Sequence, residues 1–224
     1  MPRPFQIACL LVFSSILIYP QTKTQTQDDS HAVVTFTLDF PTSQPEHYSL
    51  RVQSDGSARY QSSGRLSADS DEIDSFDLDF TVAAETRQKI FDLAAKAGYF
   101  QKDVDSHHKG LAFTGNKTLG YKDQRRSGES TYNYSANPTV QYLTTLMQSL
   151  SATLEFGHRL RYDHHYQKLA LDQELKRMEE MALANQLVEI TAIQPILDRI
   201  IADPSVINVT RARAQRLLDR AGVR

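Results

Sequence analysis

The spacing of apolar residues changes near Asn137, and this change limits the fold more than any other feature of the sequence. Before that point apolar residues alternate with polar ones, as at Val34 and Phe36, which is typical of β-strands. Beyond it they recur every third or fourth position, as at Leu143 and Met147, which indicates helices. Strands followed by helices, without repeated strand–helix–strand units, predict an α+β fold.

Residues 31–136 are predicted to form an α+β domain with a mainly antiparallel sheet and one packed helix. The strands are expected over 31–40, 48–53, 57–62, 76–82, 117–122 and 129–135. Asp55-Gly56 tolerates the backbone of a tight turn and marks the clearest hairpin. The packed helix is expected over 84–97, with Gly98 where a C-cap glycine belongs.

Residues 137–224 are predicted to form a helical region, either a bundle or an extension laid on the sheet. Asn137-Pro138 is a good N-cap and first-turn pair. Gly157 is expected to end or bend the first helix. Further helices are expected over 159–185, 187–202 and 209–221.

The first twenty residues predict an export signal, and residues 21–30 a polar linker. The apolar run 7–19 has 13 residues. As a helix it spans about 20 Å, less than the ~30 Å hydrocarbon core of a bilayer. We expect a periplasmic or secreted protein. No small-x-small cleavage site follows the run, so an uncleaved membrane anchor formed by 7–19 is the alternative, and it would be the only membrane contact.

Charge and cysteine content exclude several classes of protein. The 25 Lys and Arg nearly balance the 27 Asp and Glu, which argues against a nucleic-acid partner. Residues 28–110 carry 15 acidic and 8 basic side chains, whereas 111–224 carry 12 and 15. The single cysteine, Cys9, lies in the signal segment. The mature chain therefore has no disulfide framework and no Cys-rich zinc site.

Three stretches share turn, cap and core residues with one group of proteins. They are Tyr48-Ser49-Leu50-Arg51-Val52 with Asp55-Gly56, Tyr60 and Gly98-Tyr99-Phe100; Arg161-Tyr162, Tyr166-Gln167-Lys168-Leu169 and Glu174-Leu175-Lys176-Arg177-Met178-Glu179; and Asp203-Pro204-Ser205-Val206 with Arg211, Arg213-Ala214 and Leu217-Leu218. On these residues the chain resembles uncharacterised exported bacterial proteins that carry an α+β domain of unknown function and a C-terminal helical region. The resemblance implies export and this architecture, and it implies no catalytic set or ligand.

Histidines are the candidate metal ligands. His158, Tyr162 and His165 share a helix face, so His158 and His165 together with a carboxylate such as Asp163 form a weak zinc or copper candidate. His-Glu-x-x-His is absent, and Asp163 does not share the face. The alternative is a set of surface or interfacial histidines.

Basic and aromatic residues are the candidate binding groups. Arg213, Arg216 and Arg220 form a stripe on the last helix that suits anionic lipid, an envelope polymer or an acidic protein surface. The alternative is a solvated face balanced by acidic neighbours.

Tyr132 and Tyr134 are expected on one strand face, near Tyr121. An exposed pair would form a recognition patch, and a pair covered by a helix would be core. The apolar stripe from Leu171 to Met178 is a candidate for self-association.

No catalytic motif is assembled in the sequence. There is no Gly-x-Ser-x-Gly elbow and no phosphate-binding loop, so we expect neither catalytic residues nor a cofactor. The leading hypothesis is a non-enzymatic exported module that binds an envelope or protein partner. The alternative is an exported hydrolase or metal-dependent enzyme whose site forms no recognisable motif.

Overall fold

The structure, a computed structural model, describes residues 31–65 and 72–222. The predicted export signal and linker lie outside the described residues. The α+β fold is confirmed, because a six-stranded antiparallel sheet precedes most of the helices. In the described part of the chain, no helix has both the length and the apolar character needed to cross a bilayer.

The six strands pair in the order β4-β3-β2-β1-β5-β6. They are β1 (Val33–Asp39), β2 (His47–Gln53), β3 (Ser57–Arg65), β4 (Ile73–Thr81), β5 (Asn116–Lys122) and β6 (Ser127–Tyr132). Ala58 on β3 lies opposite Val52 on β2, so the hairpin predicted at Asp55-Gly56 is confirmed. Gly56 has a φ of 99°, a backbone angle that glycine adopts without strain.

Five α-helices accompany the sheet within the described ranges. They are α1 (Ala84–Lys96), α2 (Pro138–Tyr166), α3 (Leu171–Leu183), α4 (Gln194–Ala202) and α5 (Asn208–Arg220). Short 3-10 turns cover Gly98–Phe100 and Ile190–Ile193. The Asn137 side chain accepts a hydrogen bond from the backbone N–H of Thr139, as expected of an N-cap.

The sheet is covered by helices on one face and polar on the other. Phe36, Leu50, Tyr60 and Leu119 point from four strands into the covered face and are fully buried. Helices α1 and α2 both contact the strands, so the one packed helix expected in the α+β domain is joined by the first helix of the C-terminal region. The core continues from the sheet through α2 into α3, α4 and α5. Residue 137, where the sequence pattern changes, is the N-cap of α2. The hydrophobic core continues across this position, because residues before and after it belong to one cluster.

Gly157 does not end the first helix, so the first of the two alternatives expected at this residue is wrong. Helix α2 runs through it to Tyr166, and the break in the predicted helix 159–185 lies between α2 and α3. A Cβ at position 157 would lie too close to Cγ2 of Ile193 and 3.1 Å from its Cβ. Glycine is therefore needed here so that the Ile190–Ile193 turn can pack directly on the helix backbone.

Replacing Gly157 by alanine tests this explanation. We expect Gly157→Ala to lower the free energy of unfolding by about 1–3 kcal/mol, because the added methyl group overpacks the contact with Ile193. In an Ile193→Ala background the same change should be neutral or stabilising by up to ~1 kcal/mol, since alanine favours the helix. Denaturant unfolding of the four proteins measures this, and an equal cost in both backgrounds would contradict the explanation.

Candidate functional site

A cleft of about 410 Å³ opens between the β1–β2 connection, the ends of β3 and β4, and one face of α2. Its size falls within the ~300–1,000 Å³ range of small-molecule sites. Residues that line it include Pro45, Ser62, Asp74, Glu155, His158 and Tyr162. Polar and ionisable side chains from four parts of the chain therefore meet in one concave surface.

Glu155 lines the cleft and is only 8% exposed. Its Oε1 atom accepts hydrogen bonds from the hydroxyl of Tyr60, over 2.8 Å, and from the hydroxyl of Ser62, over 2.6 Å. The Tyr60 hydroxyl also lies 2.9 Å from Oγ of Ser151. Because burying a carboxylate is costly unless it is hydrogen-bonded, these donors from β3 stabilise Glu155 beneath α2.

The second oxygen of this carboxylate, Oε2, has no hydrogen-bond partner among the described residues. It is also not among the buried side-chain atoms that lack a partner, so solvent reaches it. Glu155 thus has one oxygen fixed by the sheet and one oxygen accessible as an acceptor.

The tyrosines next to Glu155 are held in their neutral form. Burial raises the pKa of Tyr60 far above its usual range, and the nearby charge of Glu155 raises it further. Burial likewise raises the pKa of Tyr48. The Tyr60 phenol therefore remains a hydrogen-bond donor to Glu155 at all physiological pH values.

His158 lies on the next turn of α2 and is held by β4. Its Nε2 atom is 2.9 Å from Oδ2 of Asp74. An ionised carboxylate only accepts, so Nε2 is the donor in this pair. The imidazole ring stacks on Phe76 with centroids 4.5 Å apart and an interplanar angle of 13°. Both the position and the orientation of His158 are therefore fixed.

The cations that line the cleft are already paired with acidic side chains. Arg159 forms an ion pair with Glu174, and Nε of Arg65 donates to Glu46 over 2.7 Å. Asp163, two turns beyond Glu155, also lines the cleft. Burial, and then the charge of Glu174, raise the pKa of Asp163 against the opposing effect of Arg159.

The candidate metal ligands do not come together. His158 and Asp163 both line the cleft, whereas exposed His165 packs edge-on against Tyr166 with centroids 4.3 Å apart. Within residues 31–65 and 72–222, no three His, Cys, Asp or Glu side chains form a group that could hold a metal ion.

The arginine stripe of α5 faces α3. Arg213 donates to Asp172 over 3.0 Å and to Glu179 over 2.8 Å. Arg216 also donates to Glu179, and Arg220 reaches the Asn185 side chain. Hydrogen bonds from Arg216 and then Arg213 lower the pKa of Glu179. The predicted binding arginines therefore join two helices of the same chain.

The two candidate tyrosines lie in different environments. Tyr132 is buried on the covered face of the sheet, where its hydroxyl contacts Thr144. Exposed Tyr134 lies beyond the end of β6 and accepts a hydrogen bond from Gln141 over 2.8 Å. The stripe from Leu171 to Met178 is buried within the chain.

Glu155 was not identified as a site residue from the sequence, although one signal was present. It is the only charged residue between positions 138 and 157, in an otherwise neutral stretch of α2. A lone charge in such a stretch indicates a buried group with a specific partner. The partners Tyr60 and Ser62 lie more than 90 residues earlier, and no local pattern connects them.

Comparisons with known proteins add no assignment to this geometry. No protein-family model matches the chain, and no curated protein sequence matches it significantly. Membership of the exported bacterial group stays a prediction.

The role of the arginine stripe is tested by shortening two of its members. We expect Arg213→Ala to lower the free energy of unfolding by on the order of 1–2 kcal/mol, because Asp172 and Glu179 lose a largely buried partner. The control Arg220→Ala should change it by less than about 0.5 kcal/mol. Equal effects in denaturant unfolding would contradict this role.

Proposed function

We propose that this protein is a non-enzymatic binding module whose cleft takes a small molecule. The observation that carries the proposal is Glu155, a buried carboxylate that lines the cleft and has one oxygen without a hydrogen-bond partner among the described residues. A ligand that donates a hydrogen bond to the free oxygen would satisfy it.

The cleft is organised before any ligand arrives. Tyr60 and Ser62 hold Glu155, and Asp74 and Phe76 hold His158. Side chains that are already ordered lose little conformational entropy on binding, so more of the contact energy appears as affinity.

The hydrogen bonds in the cleft support binding over catalysis. The Ser62 hydroxyl donates to Glu155, and the Nε2 proton of His158 is directed to Asp74. Nucleophilic catalysis by serine needs a hydroxyl that donates to a neighbouring base such as histidine. Among the described side chains, His158 has no serine hydrogen-bonded to it.

The second candidate function is an exported hydrolase. It is favoured by the His158–Asp74 pair, because a carboxylate that orients an imidazole ring is a common general-base arrangement. Such an enzyme would activate water in the cleft. A hydrolytic activity that is abolished by His158→Gln would support this alternative.

The cellular location is also proposed. The export signal predicted for residues 1–20 places the module in the periplasm or outside the cell, with anchoring by 7–19 as the alternative. The residues after Cys9 contain no cysteine, which is compatible with an oxidising compartment.

The cleft proposal is tested by ligand screening with a matched pair of variants. Small polar molecules are screened by saturation-transfer NMR on the full chain, and the dissociation constants of the hits are measured. Tyr162 and Tyr142 both lie on α2 and are both 46% exposed, but only Tyr162 lines the cleft. We expect Tyr162→Ala to weaken binding by about tenfold, since contact area is lost, and Tyr142→Ala to leave it unchanged. Hits that respond equally to both variants would contradict the cleft as the binding site.

Export is tested by expressing the full chain in a bacterium and fractionating the cells. We expect the protein in the periplasm or medium, with an N-terminus near residue 21 by sequencing. Deleting residues 2–20 should retain it in the cytoplasm. Full-length protein found only in the cytoplasm would contradict export, whereas full-length protein in the membrane fraction would favour the anchor.

A further inference from the structure

We infer that the ligand of the cleft carries a protonated amine, which donates a hydrogen bond to the free oxygen of Glu155. This inference rests on the proposed binding function and adds the chemical class of the ligand. Three properties of the cleft support it: the charge balance of its lining, the environment of Glu155, and a second carboxylate on the same helix.

The charge balance of the lining is negative. Arg65 and Arg159 are neutralised by acidic side chains outside the cleft, and Asp74 is paired with His158. Glu155 and Asp163 line the cleft, and neither forms an ion pair within the described ranges. A cationic ligand complements this surface, whereas an anion would be repelled by it.

The environment of Glu155 strengthens the attraction for an amine. An ammonium group has three donors, and its hydrogen bond to a carboxylate is about twice as strong as a neutral one. Because Glu155 is 8% exposed, water screens that charge less than it would at the surface. Tyr162 also lines the cleft, and an aromatic ring attracts cations.

A second carboxylate extends the site along α2. Asp163 follows Glu155 by eight residues, or about 12 Å along a helix axis, and both side chains line the cleft. Burial, and then repulsion from Glu174, raise the pKa of Asp163. A second amine near it would relieve this repulsion. Linear diamines are therefore the favoured members of the class.

The experiment compares cadaverine with 1,5-pentanediol, which has the same chain length and no charge. Isothermal titration of the full chain should show cadaverine binding at least tenfold more tightly. Glu155→Gln keeps an amide oxygen for Tyr60 and Ser62 but turns a donor toward the cleft. We expect it to weaken cadaverine binding at least tenfold, while Asp92→Asn, the same charge change at an exposed site on α1, has no effect.

Several results would overturn the inference that the ligand is an amine. Equal affinity for the two probes, no measurable cadaverine binding, or unchanged affinity in folded Glu155→Gln overturns the inference. If Glu155→Gln does not fold, Asp163→Asn replaces it, with a several-fold loss expected and an unchanged affinity overturning the inference. Neutral molecules that bind in a Tyr162-dependent way without amine preference would leave the proposed binding function standing and overturn only the ligand class.

Discussion

The hydroxyl of Tyr60, on the third strand, donates a hydrogen bond over 2.8 Å to Glu155, on the long helix α2. Ser62, two residues along the same strand, donates to the same oxygen. These are polar contacts between a sheet face and a helix face that also meet through apolar side chains. Apolar packing is non-directional, so hydrogen bonds of this kind fix how the helix lies across the sheet. The position of the cleft wall follows from that arrangement.

The same carboxylate connects stability with function. A leucine at position 155 would fill the space between α2 and the sheet and would carry no charge that has to be desolvated. Apolar replacements of buried charges are often neutral or stabilising. Packing alone therefore does not explain a charged residue at this position, whereas the proposed binding of a ligand by its free oxygen does. His158 and Asp163 then extend the polar surface along the same helix, one and two turns further on.

Local sequence patterns predicted the strands, one hairpin and the start of the long helix α2. Alternation marked the strands, Asp55-Gly56 marked the hairpin, and Asn137 marked the start of α2. The course of the helix at Gly157 was not predictable in this way. Glycine is needed at this position because Ile193 packs against it. Ile193 lies 36 residues later in the sequence and contacts Gly157 only in the folded chain.

In the candidate site, too, local spacing predicted some residues, whereas their partners come from distant parts of the sequence. His158 was selected from its helix position and does line the cleft, but its partner Asp74 comes from a distant strand. The arginines of α5 had the pattern of an exposed basic stripe, yet their acidic partners lie on α3. Sequence spacing specifies which residues share a helix face and does not specify what that face meets.

A double-mutant cycle on Tyr60→Phe and Glu155→Met tests the central claim that this hydrogen bond fixes the helix on the sheet. The free energy of unfolding is measured for the wild type, both single variants and the double variant. Hydrogen bonds to charged groups contribute about 1.5–3 kcal/mol, so we expect a coupling energy in that range. Additive effects, within ~0.5 kcal/mol, would contradict the claim.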